Sequence, residues 1–459
     1  MSVPNERSSL LQHKKGNFYD RESIHNRHHL NDQPPSGEHG ASINETGSVV
    51  IQNNDEPGLP IPRAVFVVTN AALGAGMLAF PEAYAKTGGV PEALGVQAVL
   101  IALIIGAFLI LGFCGQVRRT ANYQDTVLVF CGPIAQVICQ VIVVVYMFGS
   151  DVTYLILIGD QLTKVIDHSG WYFDRRFIIA VVSCICILPL CIPKKLKVIS
   201  YSSLFGGIGA FFVCLVVMSR FYTGNYTYGS SSKPFFWPNV FAAVPVICFG
   251  FQCHVTSVAV LAELHNPTLK RFGIVTALST LICTVIYSVT GSYGFLTFGH
   301  NVKSDILLNY DPKDGAVTAA RAVIVMVVFS TYAICHFVGR SAFLGLWTKL
   351  RRFTTAEVEA WQNKRRIITS LIWFFSSLGL SIIVPNIGKA IAIVGGFAAH
   401  FIFTFPGLCL IQIVLSNKVT LSSRLKNAGM VIGVLYVVIG FFLFAQTVTQ
   451  AIMDDINNK

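Results

Sequence analysis

Thr69-Asn70-Ala71-Ala72-Leu73-Gly74-Ala75-Gly76-Met77-Leu78-Ala79 lies in the middle of an apolar run from Ala64 to Tyr84, about the length needed to cross a bilayer. A helix in hydrocarbon must bond its own backbone amides and carbonyls, because lipid offers no partners. Gly74 and Gly76 are weak helix formers, and Thr69 and Asn70 bring polar side chains to the same depth. Unwinding here frees carbonyls and amides at mid-membrane, where they are tolerated only facing protein or a water-filled cavity. Secondary transporters use broken helices of this kind to hold a substrate carboxylate and a coupling cation. The competing reading is an unbroken helix whose small residues let a neighbour pack closely.

The rest of the chain extends the membrane reading. Of 459 residues, 53% are hydrophobic and 12% charged, about half the charged share of a soluble chain. The sequence predicts an all-α polytopic protein with eleven transmembrane helices, at 64–84, 91–115, 136–159, 177–193, 199–221, 239–262, 273–297, 315–338, 366–385, 388–414 and 429–452. The formal charge of +11 does not signal nucleic acid, since Lys and Arg fall in short clusters between spans. Arg118-Arg119, Lys194-Lys195, Lys270-Arg271, Arg351-Arg352 and Lys364-Arg365-Arg366 share one side, which the positive-inside rule makes cytosolic; Arg175 and Arg176 run against the trend. Residues 1–60 share that side and have the composition of a disordered tail, and 453–459 form a short tail on the luminal side. The tail holds Glu6-Arg7-Ser8-Ser9-Leu10-Leu11, the form of an acidic dileucine signal read by clathrin adaptors. The loop 222–238 falls on the luminal side and carries the acceptor site Asn225-Tyr226-Thr227 for glycosylation; Asn44-Glu45-Thr46 falls on the cytosolic side and is expected to stay bare.

The sixth span, around Pro245-Val246-Ile247-Cys248-Phe249-Gly250-Phe251-Gln252-Cys253-His254, is again an apolar run interrupted by a glycine with polar neighbours. It follows five spans, so the halves 64–221 and 239–414 run in opposite senses, and the span at 429–452 is extra. Glycine-interrupted spans at matching places in two inverted halves point to a transporter's binding site. Asp151, His336 and His400 are costly in a membrane unless they face a cavity or partner. Asp160 and Arg340 sit near span ends, where long side chains can snorkel. Ser330 and Thr331 can bond back to their own helix or offer oxygens to a hard cation such as sodium. The twelve cysteines lie mostly in spans, with no metal-binding spacing, and read as small buried apolar residues. No nucleophile elbow, HExxH or paired catalytic carboxylates stand in the spans, so an enzyme is not expected.

Asn70-Ala71-Ala72-Leu73-Gly74-Ala75-Gly76, Ile158-Gly159-Asp160-Gln161, Cys248 to His254 and Phe405-Pro406-Gly407 resemble the sodium-coupled neutral amino acid transporters of the amino acid/auxin permease group. The resemblance covers residues 60 to 452. It implies a LeuT-like inverted repeat of five plus five helices with one extra. It implies export of glutamine and asparagine from lysosome to cytosol, with the plasma membrane as the alternative location and sodium as coupling ion without other cofactor. Carried over, Leu73, Gly74, Ala75, Gly76, Phe249, Gly250 and Phe251 match the segments that hold substrate, and Asn70, Ser330 and Thr331 match sodium ligands. Protons, with His254, His336 and His400 as carriers, are the alternative coupling ion. A nutrient receptor that binds amino acids without moving them is the rival from another class.

Overall fold

The computed structural model describes residues 42–43, 49–50 and 58–457, apart from 121, 166–173, 193–196, 225, 227–238, 352–360, 385 and 417–421. Within the expected tail it describes one antiparallel pair, Ser42–Ile43 with Val49–Val50. From residue 61 onward the described elements are helices. The first span is two pieces, Ile61–Ala72 and Phe80–Thr87, joined by a 3-10 turn over Ala75–Ala79 and bent by 51°. Gly88, at φ 107, ends the second piece in the left-handed region that favours glycine. The second span is Val90–Arg118 and the third is Tyr123–Val165. Gly132, at φ 87, breaks the third just before Pro133, so its first nine residues form a separate segment. The fifth span is Lys197–Thr223, and the sixth is Val240–Gly250 and His254–Glu263 around three non-helical residues. Leu269–Phe298, Gly315–Arg351, Gln362–Ile383, Ile387–Leu415 and Ser423–Asn457 form the seventh to eleventh.

Among the described residues, nine helices are long and apolar enough to cross a membrane, ten with the bent first span. The remaining crossing expected from sequence, the fourth, at 177–193, corresponds to a shorter run, Arg175–Cys191. It is assembled from pieces of eight, five and four residues around a π-turn.

Lipid gives no hydrophobic drive for helices to associate, so small residues and buried hydrogen bonds do the packing. A Cβ on Gly395 of the tenth span would lie 2.1 Å from the carbonyl oxygen of Pro245 in the sixth. Gly407 also lies close against Gly433 of the eleventh, where an added Cβ would come within 2.7 Å of the carbonyl oxygen. Polar bonds cross between the first, second and seventh spans: Tyr84 Oη donates to Gln97 Oε1 (2.7 Å), and Gln97 Nε2 to Ser288 Oγ (3.0 Å). Asp151 accepts from Trp373 Nε1 of the ninth span at 2.8 Å.

Three expectations are corrected. Arg340 does not snorkel; it is buried and its Nη1 donates to Cys191 O (2.9 Å) and Ser370 Oγ (2.6 Å). Charge at that depth finds acceptors in the bundle instead of travelling to water. Asp160 is held by an ion pair with Arg175 at 2.5 Å. Eight of the twelve cysteines are buried, but Cys186 is exposed on the outside of the bundle, and all twelve are free thiols.

Candidate functional site

The two interrupted spans meet at their interruptions. A Cβ on Gly76 would come within 3.1 Å of Gly250 Cα and 3.2 Å of Phe249 Cδ1. One on Gly250 would come within 2.8 Å of the Phe80 ring. A side chain at Gly250 would therefore displace the Phe80 ring, and one at Gly76 would make its neighbours give by a few tenths of an ångström. Gly74 is extended (φ −159°, ψ −150°), a conformation open to any residue, and faces the Tyr154 hydroxyl instead.

The interruptions leave backbone groups unbonded, as helix ends must. Ile61–Ala72 ends with Leu73 N donating to Thr69 O. The next backbone bond is Met77 N to Gly74 O (3.4 Å), so the amides of Gly74, Ala75 and Gly76 have no backbone partner among the described residues. They stand at the start of the helical piece running to Thr87, the electropositive end of its dipole, which suits a carboxylate. The C-terminal ends of Ile61–Ala72 and Val240–Gly250 present electronegative carbonyls to the same region.

Tyr287 of the seventh span joins these two carbonyl ends. Its Oη lies 2.8 Å from Ala72 O and 2.8 Å from Gly250 O. The ring stacks on Phe80 (4.4 Å between centroids) and meets Phe251 edge-on (5.0 Å). Phe249 faces Tyr146 at 6.4 Å. Sequence reasoning missed Tyr287, Phe80, Tyr146 and Tyr154; an aromatic in an apolar run gives no periodic signal that separates it from core.

All seven candidate substrate positions thus fall at the two interruptions. The candidate sodium positions are not joined to one another by any hydrogen bond among the described residues. Among the described residues, Asn70 Oδ1 and Thr69 Oγ1 are buried without a hydrogen-bond partner. Asn70, in the first span, packs against the fifth, where a Cβ at Gly206 would be 2.0 Å from its Oδ1. One turn on, Gly209 lies against Val327 of the eighth span. Ser330 Oγ and Thr331 Oγ1 both donate to Val327 O (2.8 and 3.0 Å), which fixes their hydrogens and leaves their lone pairs for a cation. His254 is stacked on Phe108 at 4.0 Å, His400 bonds to Thr404 at 3.0 Å, and His336 packs between Tyr332 and Trp373. The three histidines are buried in separate places.

Each end of the site has its own closure. On the face where the first span begins, Leu59 N donates to Glu263 O (2.8 Å) and His265 N to Leu59 O (3.0 Å). This two-bond strap ties the start of the first span to the end of the sixth. On the opposite face the short turn Ile306–Asn309 packs against Ala75–Ala79 as a plug. Arg321 is fully buried and clamps the plug by donating to Leu307 O (2.9 Å) and Tyr310 O (3.0 Å). Asp305 accepts from Gln161 Nε2 of the third span and from Leu307 N (3.0 Å). Burial first, then the nearby Asp160 carboxylate, pushes the Asp305 carboxyl up to about 7, against the pull of Leu307 N, Gln161 and Arg321.

A model of the "Transmembrane amino acid transporter protein" family matches residues 59–453. The chain belongs to the transmembrane amino acid transporter family. Among similar proteins, sodium-coupled neutral amino acid transporter 7 of Danio rerio is 42% identical over 86% of this chain and 88% of its own. The human protein of that name is 40% identical over the same shares. Human solute carrier family 38 member 8 is 33% identical, covering 85% of this chain and 93% of its own. The crystal structure of MhsT in complex with L-phenylalanine superposes with TM-score 0.53 at 12% identity, covering 84% of this chain and 98% of that one. This amino acid transporter family member therefore has the LeuT-like fold implied by its sequence. Family and fold are those of transporters, not of enzymes. Asn225 and the Glu6–Leu11 signal lie outside the described residues.

Proposed function

We propose that this protein is a sodium-coupled secondary transporter that carries glutamine and asparagine from the lysosomal lumen to the cytosol. The observation that carries the reading is the meeting of two interrupted spans at Gly76 and Gly250, with amides at Gly74–Gly76 that lack a backbone partner among the described residues and two carbonyl ends beside them. In this reading the amides hold the substrate carboxylate, and unwound carbonyls take its ammonium group. The partnerless Asn70 Oδ1, with Ser330 and Thr331, supplies oxygens to sodium, which binds best when the spans carrying them close together. The names of the relatives support a neutral amino acid and sodium.

The compartment rests on sequence: Glu6, Leu10 and Leu11 as a cytosolic sorting signal, and Asn225 as a luminal glycosylation site. Replacing both leucines by alanine should move the protein to the plasma membrane. A glycosidase-sensitive mobility shift should vanish in Asn225→Gln and survive in Asn44→Gln. The transport reading is tested by uptake of labelled glutamine into proteoliposomes with sodium and pH gradients imposed separately. Flux that follows sodium supports it. Flux that ignores sodium and follows pH transfers coupling to protons, and binding without flux makes the protein a receptor.

A further inference from the structure

The two carbonyl ends at Ala72 and Gly250 are like poles. Each terminates a helix whose dipole leaves partial negative charge there, and nothing in their own helices can pair with them. What stands between them is one phenol. Tyr287 is fully buried, its ring is fixed by Phe80 and Phe251, and its oxygen is equidistant from both carbonyls. A phenol carries a single hydrogen, so at any instant one carbonyl accepts it and the other faces lone pairs. Two helix ends that would otherwise repel are thereby kept at one spacing by a donor they share.

We propose that Tyr287 is a positioning residue for transport: its hydroxyl, passing between Ala72 O and Gly250 O, sets the separation of the two interrupted spans and so the width of the substrate site. The proposal rests on the reading that those interruptions form the site. Its structural half can be tested without that reading. Tyr287→Phe keeps the ring contacts and removes only the hydroxyl. Hydrogen exchange at Leu73–Met77 and at Phe251–Cys253 should rise together, about tenfold at both. Exchange unchanged, or raised at only one interruption, would overturn the shared-donor role whatever the protein transports. In proteoliposomes the same variant should raise KM for L-glutamine about tenfold and leave the maximal rate within about twofold. 4-Aminophenylalanine in place of Tyr287 offers two N–H donors, one for each carbonyl, and should return KM to the wild-type range. Should the Phe variant fail to reach the membrane, the 4-aminophenylalanine protein decides alone: wild-type KM supports the proposal, and a tenfold higher KM overturns it. A parallel fall in maximal rate and thermal midpoint, with no rescue by the two-donor residue, would reduce Tyr287 to general packing and overturn it too. Wild-type protein that moves no glutamine while both interruptions loosen in Tyr287→Phe would refute the site reading and leave the tyrosine's role standing.

Discussion

The interruptions of the first and sixth spans occupy matching places in two inverted halves, yet they are built differently. The first is lined by Gly74, Ala75 and Gly76, and its helix turns through 51°. The sixth is flanked by Phe249 and Phe251, and it is not bent by more than 40°. One interruption has given up side chains and presents bare amides; the other keeps large rings against Tyr146, Phe80 and Tyr287. In the proposed reading, bare backbone serves what all amino acids share, the carboxylate, while rings set the room left for what distinguishes them.

The strongest way to break that contrast is to give the first interruption a side chain. Gly76→Val should cut transport more than about a hundredfold, because its Cβ alone already crowds Gly250 and Phe249 and two further methyls force the spans apart. Expression and delivery to the membrane should stay near normal. If transport and expression fall together, the glycine serves assembly and the contrast loses its functional half.

A second test separates the cation from the substrate. Asn70→Ala removes the partnerless oxygen beside the first interruption. It should raise the sodium concentration for half-maximal transport about tenfold, equivalent to about 1.4 kcal/mol. The glutamine KM measured at saturating sodium should move much less. Thr331→Ala should act in the same direction. An equal rise in both constants would place Asn70 at the substrate instead.

The plug beside the first interruption gives a pH test. An exposed aspartate titrates at about 4, whereas docked Asp305 titrates at about 7, so docking takes up a proton between those values. Acid therefore favours the docked plug. As pH rises through that window the docked form loses about tenfold in relative stability per unit, and above it both forms are ionised and the dependence ends. Asp305→Asn, neutral throughout, should flatten the transport profile between about pH 4 and 7 on the plug's face, with the opposite face held constant. An unaltered profile would assign the pH response to another group.

The smallest effect belongs to the sixth span. Phe249→Leu should change the ratio of KM values for glutamine and a bulkier amino acid by about threefold, with little change in maximal rate. A uniform loss for all substrates would show that the ring, like Gly76, serves the shared backbone.

Glycines inside two apolar runs were enough to locate both interruptions, because a helix in lipid cannot lose backbone bonds without a local cause. The tyrosine that serves both could not be found that way: its bond to Ala72 spans 215 residues, and no local pattern records it. The same holds for Asp305, which meets Gln161 across 144 residues. Ser330 and Thr331 were legible as hydroxyls in a span, but only coordinates show both hydrogens committed to Val327 O. Arg340 was misread because distance along the helix to its end says nothing about acceptors on neighbouring helices.

The strap at Leu59 gives the bundle a drawstring. Its two main-chain bonds amount to about 1–3 kcal/mol, a bias of roughly 5- to 150-fold on any opening that must break them. Gly58 lets the chain lie this close, since a Cβ there would meet His265 Cα at 2.8 Å. Tension applied to the chain at Gly58 would be delivered through the strap to the last turn of the sixth span, against bonds of about 0.5–1.5 kcal/mol each.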